Sequence, residues 1–449
     1  MIRKKFTDGE QLNQTWSSMT MLLIVIAFLM ACRPSYARAA EASEPDGGDV
    51  VKICIDPGHG GENEGGLWED YVEKDMTMIV AEAMRDELMK YSGIEVYMTR
   101  TGDVDMSLEE RVEYASEVGA DFFFCLHFNL SADHDMYGSE CWISAFGENY
   151  ARGMDFSKIE MKLLTDLGLY DRGIKTRLNS RGTNYYGVLR VGDVEGVPGV
   201  IIEHCHLDHR EDEPYYDHYD WLVKYGRLDA TAVATYYGLK SDELGVDYSN
   251  YAYEPTPVPD SVVKPDESEP VSISAEFGEV TESDDGYVIN ARLNASDPDS
   301  RMLYYSYSTD GGIHWSDRFR WENHDGRPVL NEPGESAIDL QLPLSTGRDM
   351  YVIFRGYNLY NLSADSEPYY VSKYEPPEED EPAVDEYADY VEIERPEDEE
   401  RSGKPLFDKG TDYRFLSAIA IMSLTILVLL IVMANLIFRI VRNNGRHGR

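Results

Sequence analysis

At 449 residues the chain has room for two or three domains, and a hydrophobic share of 43% is enough to build packed cores. The formal charge of -42 excludes a protein that holds nucleic acid by electrostatic attraction, because phosphate would be repelled. Five cysteines do not make a disulfide framework here: Cys54, Cys125 and Cys205 sit in apolar, strand-like runs where free thiols pack as small core residues.

The chain opens on Arg3, Lys4 and Lys5, then an apolar run over 19–31, then the small-x-small pattern Ala37-Arg38-Ala39. That order predicts a signal peptide over residues 1–39. The box LMAC at 29–32 offers a second cleavage reading that leaves Cys32 lipidated, and both readings predict export.

Residues 50–240 alternate strand and helix patterns. The run VKICIDPGHGG (51–61) is apolar and then breaks into Asp-Pro-Gly, with His59 at the tip. Buried parallel strands read as such runs, and α/β folds carry their chemistry at the carboxyl ends of the strands. Met76, Ile79, Val80, Ala83, Met84 and Leu88 have helical spacing and predict a helix over 75–89. A strand follows over 94–99. Ser107 and Glu110 form a capping box for a helix carrying Leu108, Val112, Ala115 and Val118. Strands are expected at 121–127, 141–145, 186–191 and 200–205, and helices at 149–167 and 215–237. The fold class expected is α/β, a mostly parallel sheet with helices on both faces.

Residues 241–270 form a Pro-rich linker, with Pro255, Pro257, Pro259, Pro265 and Pro270. Over 271–372, short alternating runs separated by turns such as Asp310-Gly311-Gly312 predict a small all-β immunoglobulin-like sandwich. It has no ionisable cluster suited to catalysis, so it reads as a spacer or a binding module. Tyr304, Tyr305, Trp315 and Trp321 are expected mainly in its core, with contact to a protein or glycan ligand as the alternative. Residues 373–413 are dense in Glu, Asp and Pro and read as an acidic disordered stalk. The run 415–438 carries no charge and is long enough to cross a bilayer as a transmembrane helix. Arg439, Arg442, Arg446 and Arg449 follow in a basic tail over 439–449, which the positive-inside rule places in the cytoplasm. The expected molecule is single-pass in the cell membrane, with its N-terminal bulk extracellular.

Three ionisable residues fall at strand tips or a helix start: His59, Glu73 and His127. Two imidazoles, one carboxylate and an open position make the ligand set of a hydrolytic zinc site. Glu203 stands inside the apolar strand 199–205, where a carboxylate is costly unless it is paired or working, and a raised pKa suits a general base. On the residues alone, each histidine also reads as a plain hydrogen-bonding group, and Glu73 as a first-turn acid favoured by the helix dipole.

The stretch 51–237 resembles the zinc-dependent N-acetylmuramoyl-L-alanine amidases of the amidase-3 type. The resemblance rests on IDPGHGG (55–61), EKD (73–75), YMTRTGD (97–103), SLEERVEYA (107–115), CLHFN (125–129), GVLR (187–190) and VPGVIIEHCHLDHREDE (197–213), all in family order. It implies that His59, Glu73 and His127 bind Zn2+ and that Glu203 is the catalytic acid-base. It also implies peptidoglycan as substrate, cleaved at the amide between N-acetylmuramic acid and L-alanine of the stem peptide. Asn129 and Arg190 match motif positions that fix loops or face substrate. Three features depart from the family pattern: the loop GGENEGG (60–66), the bulky Phe128 beside His127, which would narrow the cleft, and His204-Cys205-His206 after Glu203. Those histidines, with His209, are either hydrogen-bonded or solvent-facing residues or a second metal site. A non-catalytic wall-binding or signalling ectodomain and a zinc peptidase acting on stem peptides are the alternative readings.

Overall fold

In chain order, the first domain comprises β1 (Val51–Pro57), a small hairpin of β2 (Leu67–Trp68) and β3 (Tyr71–Val72), α1 (Glu73–Leu88), β4 (Ile94–Met98), α2 (Leu108–Glu117), β5 (Phe122–Asn129) and β6 (Ser139–Ile143). It continues with α3 (Gly147–Asp166), β7 (Asp171–Lys175), α4 (Gly187–Glu195), β8 (Gly199–His206) and α5 (Tyr219–Tyr236). This computed structural model describes residues 50–283, 286–345 and 347–375. The signal peptide and its Cys32, most of the stalk, the apolar run 415–438 and the basic tail lie outside the described residues.

The sheet runs in the order β4-β1-β5-β8-β6-β7. All neighbours are parallel except β6 and β8. Side chains alternate across a strand, so one strand feeds two cores. Ile53, Ile55, Phe122 and Phe124 face α1, α3 and α5, while Cys54, Phe123 and Cys125 face α2 and α4. The consecutive phenylalanines of β5 thus hold both layers, each worth roughly 2–3 kcal/mol of burial. Helices on both faces of a mostly parallel sheet are what the sequence predicts. The described cysteines, Cys54, Cys125, Cys141 and Cys205, are buried free thiols.

Two elements of the main sheet and its covering helices differ from expectation. The segment 186–191 is not a strand but the entry to α4. Val188, Leu189 and Gly192 make one buried helical face, and Gly196 closes the helix at φ 72°. In the apolar string GVLRV, strand and helix patterns are too short to separate by periodicity. The edge strand β7, sequence DRGIK, goes unpredicted because its buried side chains include Arg172 and Lys175. Both cations are buried against Glu140, so the strand shows no apolar alternation.

A short hairpin, β9 (Lys240–Ser241) with β10 (Val246–Asp247), starts the Pro-rich stretch. That stretch then runs along the first domain: Thr256 N donates to Asp155 Oδ1 at 2.8 Å and Val263 N to Ala145 O at 2.9 Å. The β domain follows. One antiparallel sheet holds β11 (Ser272–Ser283), β12 (Gly286–Asp297) and β15 (Gly334–Pro343). The other holds β13 (Met302–Ser308), β14 (Phe319–Arg320), β16 (Met350–Asn358), β17 (Ser363–Asp365) and β18 (Tyr369–Val371). Ile273, Leu293, Trp321, Ile338, Leu340, Val352 and Phe354 form the core shared by both sheets. Tyr304 and Trp321 are fully buried, and Tyr305 and Trp315 are half-buried. The first domain and the β domain belong to one compact unit.

Candidate metal and hydrolase centre

The site grows from the carboxyl end of β1. His59 leaves the strand in a left-handed backbone conformation, φ 62°, between Gly58 and Gly60. Such a backbone is uncommon for a residue with a side chain and must be held by its surroundings. Arg111, buried on α2, does this: Nη2 donates to His59 O at 2.7 Å, and Nη1 to Asp56 Oδ1 at 2.7 Å and Pro57 O at 3.1 Å. Arg100, after β4, donates through Nε to Pro57 O at 3.0 Å and through Nη2 to Gly58 O at 2.9 Å. Two guanidinium groups therefore brace the turn that presents the imidazole.

Glu73 enters at the first turn of α1, where the helix dipole favours a carboxylate. Its Oε2 lies 3.0 Å from His59 Nε2, and its Oε1 lies 2.9 Å from His127 Nδ1 at the end of β5. Gly66 N donates to Oε2 at 2.6 Å and Phe128 N to Oε1 at 3.0 Å. Burial pushes this carboxyl up, but the hydrogen bonds from both histidines outweigh it and hold Glu73 well below the usual carboxylate range. Burial acts to lower the pKa of His59, yet the neighbouring Glu73 leaves it raised overall.

One ligand atom from each of His59, Glu73 and His127 lies within 4.8 Å of the others, the only such cluster of three or more among the described residues. The donor set of two imidazole nitrogens and a carboxylate suits a zinc-type cation. The other ring nitrogen of His59, Nδ1, lies 3.0 Å from Asn63 Oδ1, which orients the ring and fixes its tautomer as ligating histidines require. Close glycines shape the cradle. A Cβ on Gly58 would lie 2.4 Å from His127 Cε1, and one on Gly65 would lie 2.6 Å from Glu73 Oε2. The residues present therefore fit the metal.

Glu203 sits on β8 beside His127 in register, so the sheet delivers it to the same face of the cluster. It is half-buried, and its Oε2 is shielded from solvent with no hydrogen-bond partner among the described residues. Burial, then the charges of Glu73 and Glu140, push its carboxyl well above the ordinary range. Among the described residues this oxygen is thus a buried acceptor without a donor, on the strand paired with His127.

Asn129 and Arg190 have supporting places. Asn129 Nδ2 donates to Glu140 Oε1 at 2.8 Å, while Leu130 N donates to Asn129 Oδ1 at 2.9 Å. Arg190 Nη1 donates to the carbonyls of Asn184 and Tyr185, both at 3.0 Å, and so fixes the loop before α4. Phe128 does not narrow the cleft: it is buried in the core against His204 and Tyr225, because it alternates with His127 along the strand. His204, His206 and His209 do not converge on a metal. His204 lies between His127 O and Asp229, His206 reaches Gly138 O, and His209 stacks on Tyr137. Sequence reasoning passed over Asn63, Arg100, Arg111 and Glu140 as site residues. Asn63 stands four positions after His59, and both arginines lie inside matched motifs, so spacing carried a signal that chemistry alone did not resolve.

Residues 53–235 match the family model of the N-acetylmuramoyl-L-alanine amidases, Amidase_3. The first domain belongs to the amidase-3 family. The uncharacterized protein YqiI of Bacillus subtilis is 38% identical over 141 residues, 31% of this chain and 66% of that protein. The N-acetylmuramoyl-L-alanine amidase LytC of Bacillus subtilis is 32% identical over 124 residues, 28% of this chain and 25% of LytC. The match thus spans less than two thirds of either relative. Among solved structures, the catalytic domain of the N-acetylmuramoyl-L-alanine amidase CwlV from Bacillus (Paenibacillus) polymyxa is 23% identical, with TM-score 0.37, over 42% of this chain and 99% of that one. The amidase domain is followed directly by the Pro-rich stretch and the β domain.

Proposed function

We propose that this chain is a zinc-dependent N-acetylmuramoyl-L-alanine amidase that cleaves the amide between N-acetylmuramic acid and L-alanine of the stem peptide in peptidoglycan. The observation that carries this reading is the convergence of His59 Nε2, the Glu73 carboxylate and His127 Nδ1 beside Glu203 Oε2, which has no hydrogen-bond partner among the described residues. Family membership of the domain supplies the substrate class.

His59, Glu73 and His127 would hold the zinc ion, which when bound supplies Lewis-acid polarisation of the scissile carbonyl. Glu203 Oε2 takes a proton from the attacking water and returns it to the leaving amine of L-alanine. Its raised pKa suits both halves of that task. Arg111 and Arg100 keep the β1 turn fixed, so the imidazole of His59 needs little reorganisation during the reaction.

The signal peptide over 1–39, the apolar run 415–438 and the basic tail support a single-pass protein of the cell membrane with the enzyme outside and the C-terminus in the cytoplasm.

Digestion of purified peptidoglycan, followed by mass spectrometry of the fragments, tests the reaction. The expected product is a stem peptide with a free L-alanine amino group and no new reducing sugar end. Release of a terminal amino acid would instead show a peptidase, and no product together with no bound zinc at neutral pH would favour a non-catalytic wall-binding or signalling ectodomain. Glu203→Gln should keep zinc and lose activity by at least about 100-fold, whereas His59→Ala should lose both.

A further inference from the structure

Tyr304 belongs to the β domain, yet its side chain leaves that domain's core and joins Tyr137 and Tyr170 of the amidase domain in a separate buried cluster with Leu303 and Tyr357. Its ring centroid lies 5.1 Å from that of Tyr137 and 5.2 Å from that of Tyr170. Its hydroxyl donates to Tyr137 O and accepts from Arg172 Nη1 at 3.0 Å. The Arg172 side chain is buried, and its Nε donates to Glu140 Oε2 at 3.0 Å. The same oxygen accepts from Lys175 Nζ at 2.7 Å, and Glu140 Oε1 accepts from Asn129 Nδ2 at 2.8 Å and Trp142 Nε1 at 3.1 Å. Glu140 stands on β6 directly opposite Glu203 on β8. A continuous set of buried hydrogen bonds therefore runs from the β domain to the residue paired in register with the proposed acid-base.

The ends of this set depend on one another. A buried guanidinium has five N–H groups to satisfy, and losing one acceptor turns the fork toward another. A turn of Arg172 changes the donor geometry at Glu140 Oε2, because the same planar group bonds both Tyr304 and Glu140. Ion pairs flank the contact, with Arg318 Nη2 2.8 Å from Asp135 Oδ2 and Arg301 Nη2 3.1 Å from Asp171 Oδ2, so the two domains meet in one fixed register.

We infer that Tyr304 is a positioning residue of the hydrolase site: its hydroxyl holds Arg172, and through Arg172 it holds the Glu140 carboxylate opposite Glu203, so that the β domain completes the amidase site. The kinetic consequence rests on the amidase reading, while the positional link does not.

Tyr304→Phe in the full chain keeps the ring and removes the hydroxyl. On a soluble muropeptide its kcat should fall about three- to ten-fold while KM stays within about twofold. Tyr170→Phe removes a neighbouring interface hydroxyl, donated to Leu303 O, without touching Arg172. It should leave kcat unchanged, and equal losses in the two variants would overturn the inference. Combined with Glu140→Gln, the Tyr304→Phe loss should largely vanish, and additive losses would also overturn it. The indole N–H resonance of Trp142, assigned by its disappearance in Trp142→Phe, should shift in Tyr304→Phe. If the unsubstituted protein shows no amidase activity, the amidase reading fails, and this resonance alone decides the positional link: an unmoved signal overturns it. Should Tyr304→Phe not fold, Arg172→Lys keeps a cation beside Glu140 but lacks the second nitrogen that reaches Tyr304, and wild-type kcat in that variant overturns the inference.

Discussion

His59 combines a left-handed backbone, a buried brace and a side-chain partner, and each of these is a separate physical requirement. Gly65 (φ 74°) illustrates how little slack remains, because its Cα faces both His59 and Glu73. Gly65→Ala should therefore weaken zinc binding by tenfold or more, read by competition with a chromophoric chelator, while the melting temperature changes far less. Asp212 makes the second residue-scale case. Its Oδ2 accepts from Gly138 N at 2.6 Å and His206 N at 2.8 Å, yet burial outweighs those bonds and pushes the carboxyl up to about 6. A carboxyl whose folded pKa is raised contributes stability below its unfolded pKa and loses it as pH rises through the folded value. Urea denaturation should thus show a component of about 3 kcal/mol lost between pH 4 and pH 7, and Asp212→Asn should remove that component.

At the scale of elements, α2 does more than cover the sheet. Its capping box forms as the sequence predicts, with Ser107 Oγ accepting from Glu110 N and Glu110 Oε2 accepting from Ser107 N. One turn later it drives Arg111 into the sheet against Asp56, at 4% and 1% side-chain exposure. Removing one partner of such a pair leaves a buried charge uncompensated. Arg111→Leu should cost about 3–5 kcal/mol by urea denaturation, and a loss under 1 kcal/mol would show that Asp56 finds other compensation. The strand β7 teaches the same lesson in reverse. Arg172 and Lys175 read as loop residues in a sequence, but paired with Glu140 they are strand residues whose charges are satisfied inside. Amphipathic periodicity revealed α1, α2, α3 and α5 because those helices bury one stripe and expose the other. It failed for α4, whose few apolar residues fit a strand equally well until Gly192 is seen packed on Val197 O.

Across the whole molecule, the β domain packs on the first domain and covers part of its surface. Residues 50–270 alone would expose Tyr137, Tyr170 and Arg172, which the β domain otherwise covers. That piece should melt roughly 5–10 °C below residues 50–375 in calorimetry, and equal melting temperatures would show that the contact adds no stability. Much was readable beforehand in this chain. The α/β class, the capping box and the shift to short β strands after residue 270 leave local marks, because periodicity is a property of neighbours along the chain; strand-tip chemistry marks His59, Glu73, His127 and Glu203 as candidates, and only the resemblance to the amidase-3 family gives them roles. What only the tertiary structure decided was which distant groups meet. Arg111 reaching Asp56 and His59 O, and Tyr304 reaching Arg172, are contacts between groups whose separation in sequence says nothing of their separation in space. A buried polar group is costly until its partner is in place, and that partner is chosen by the fold.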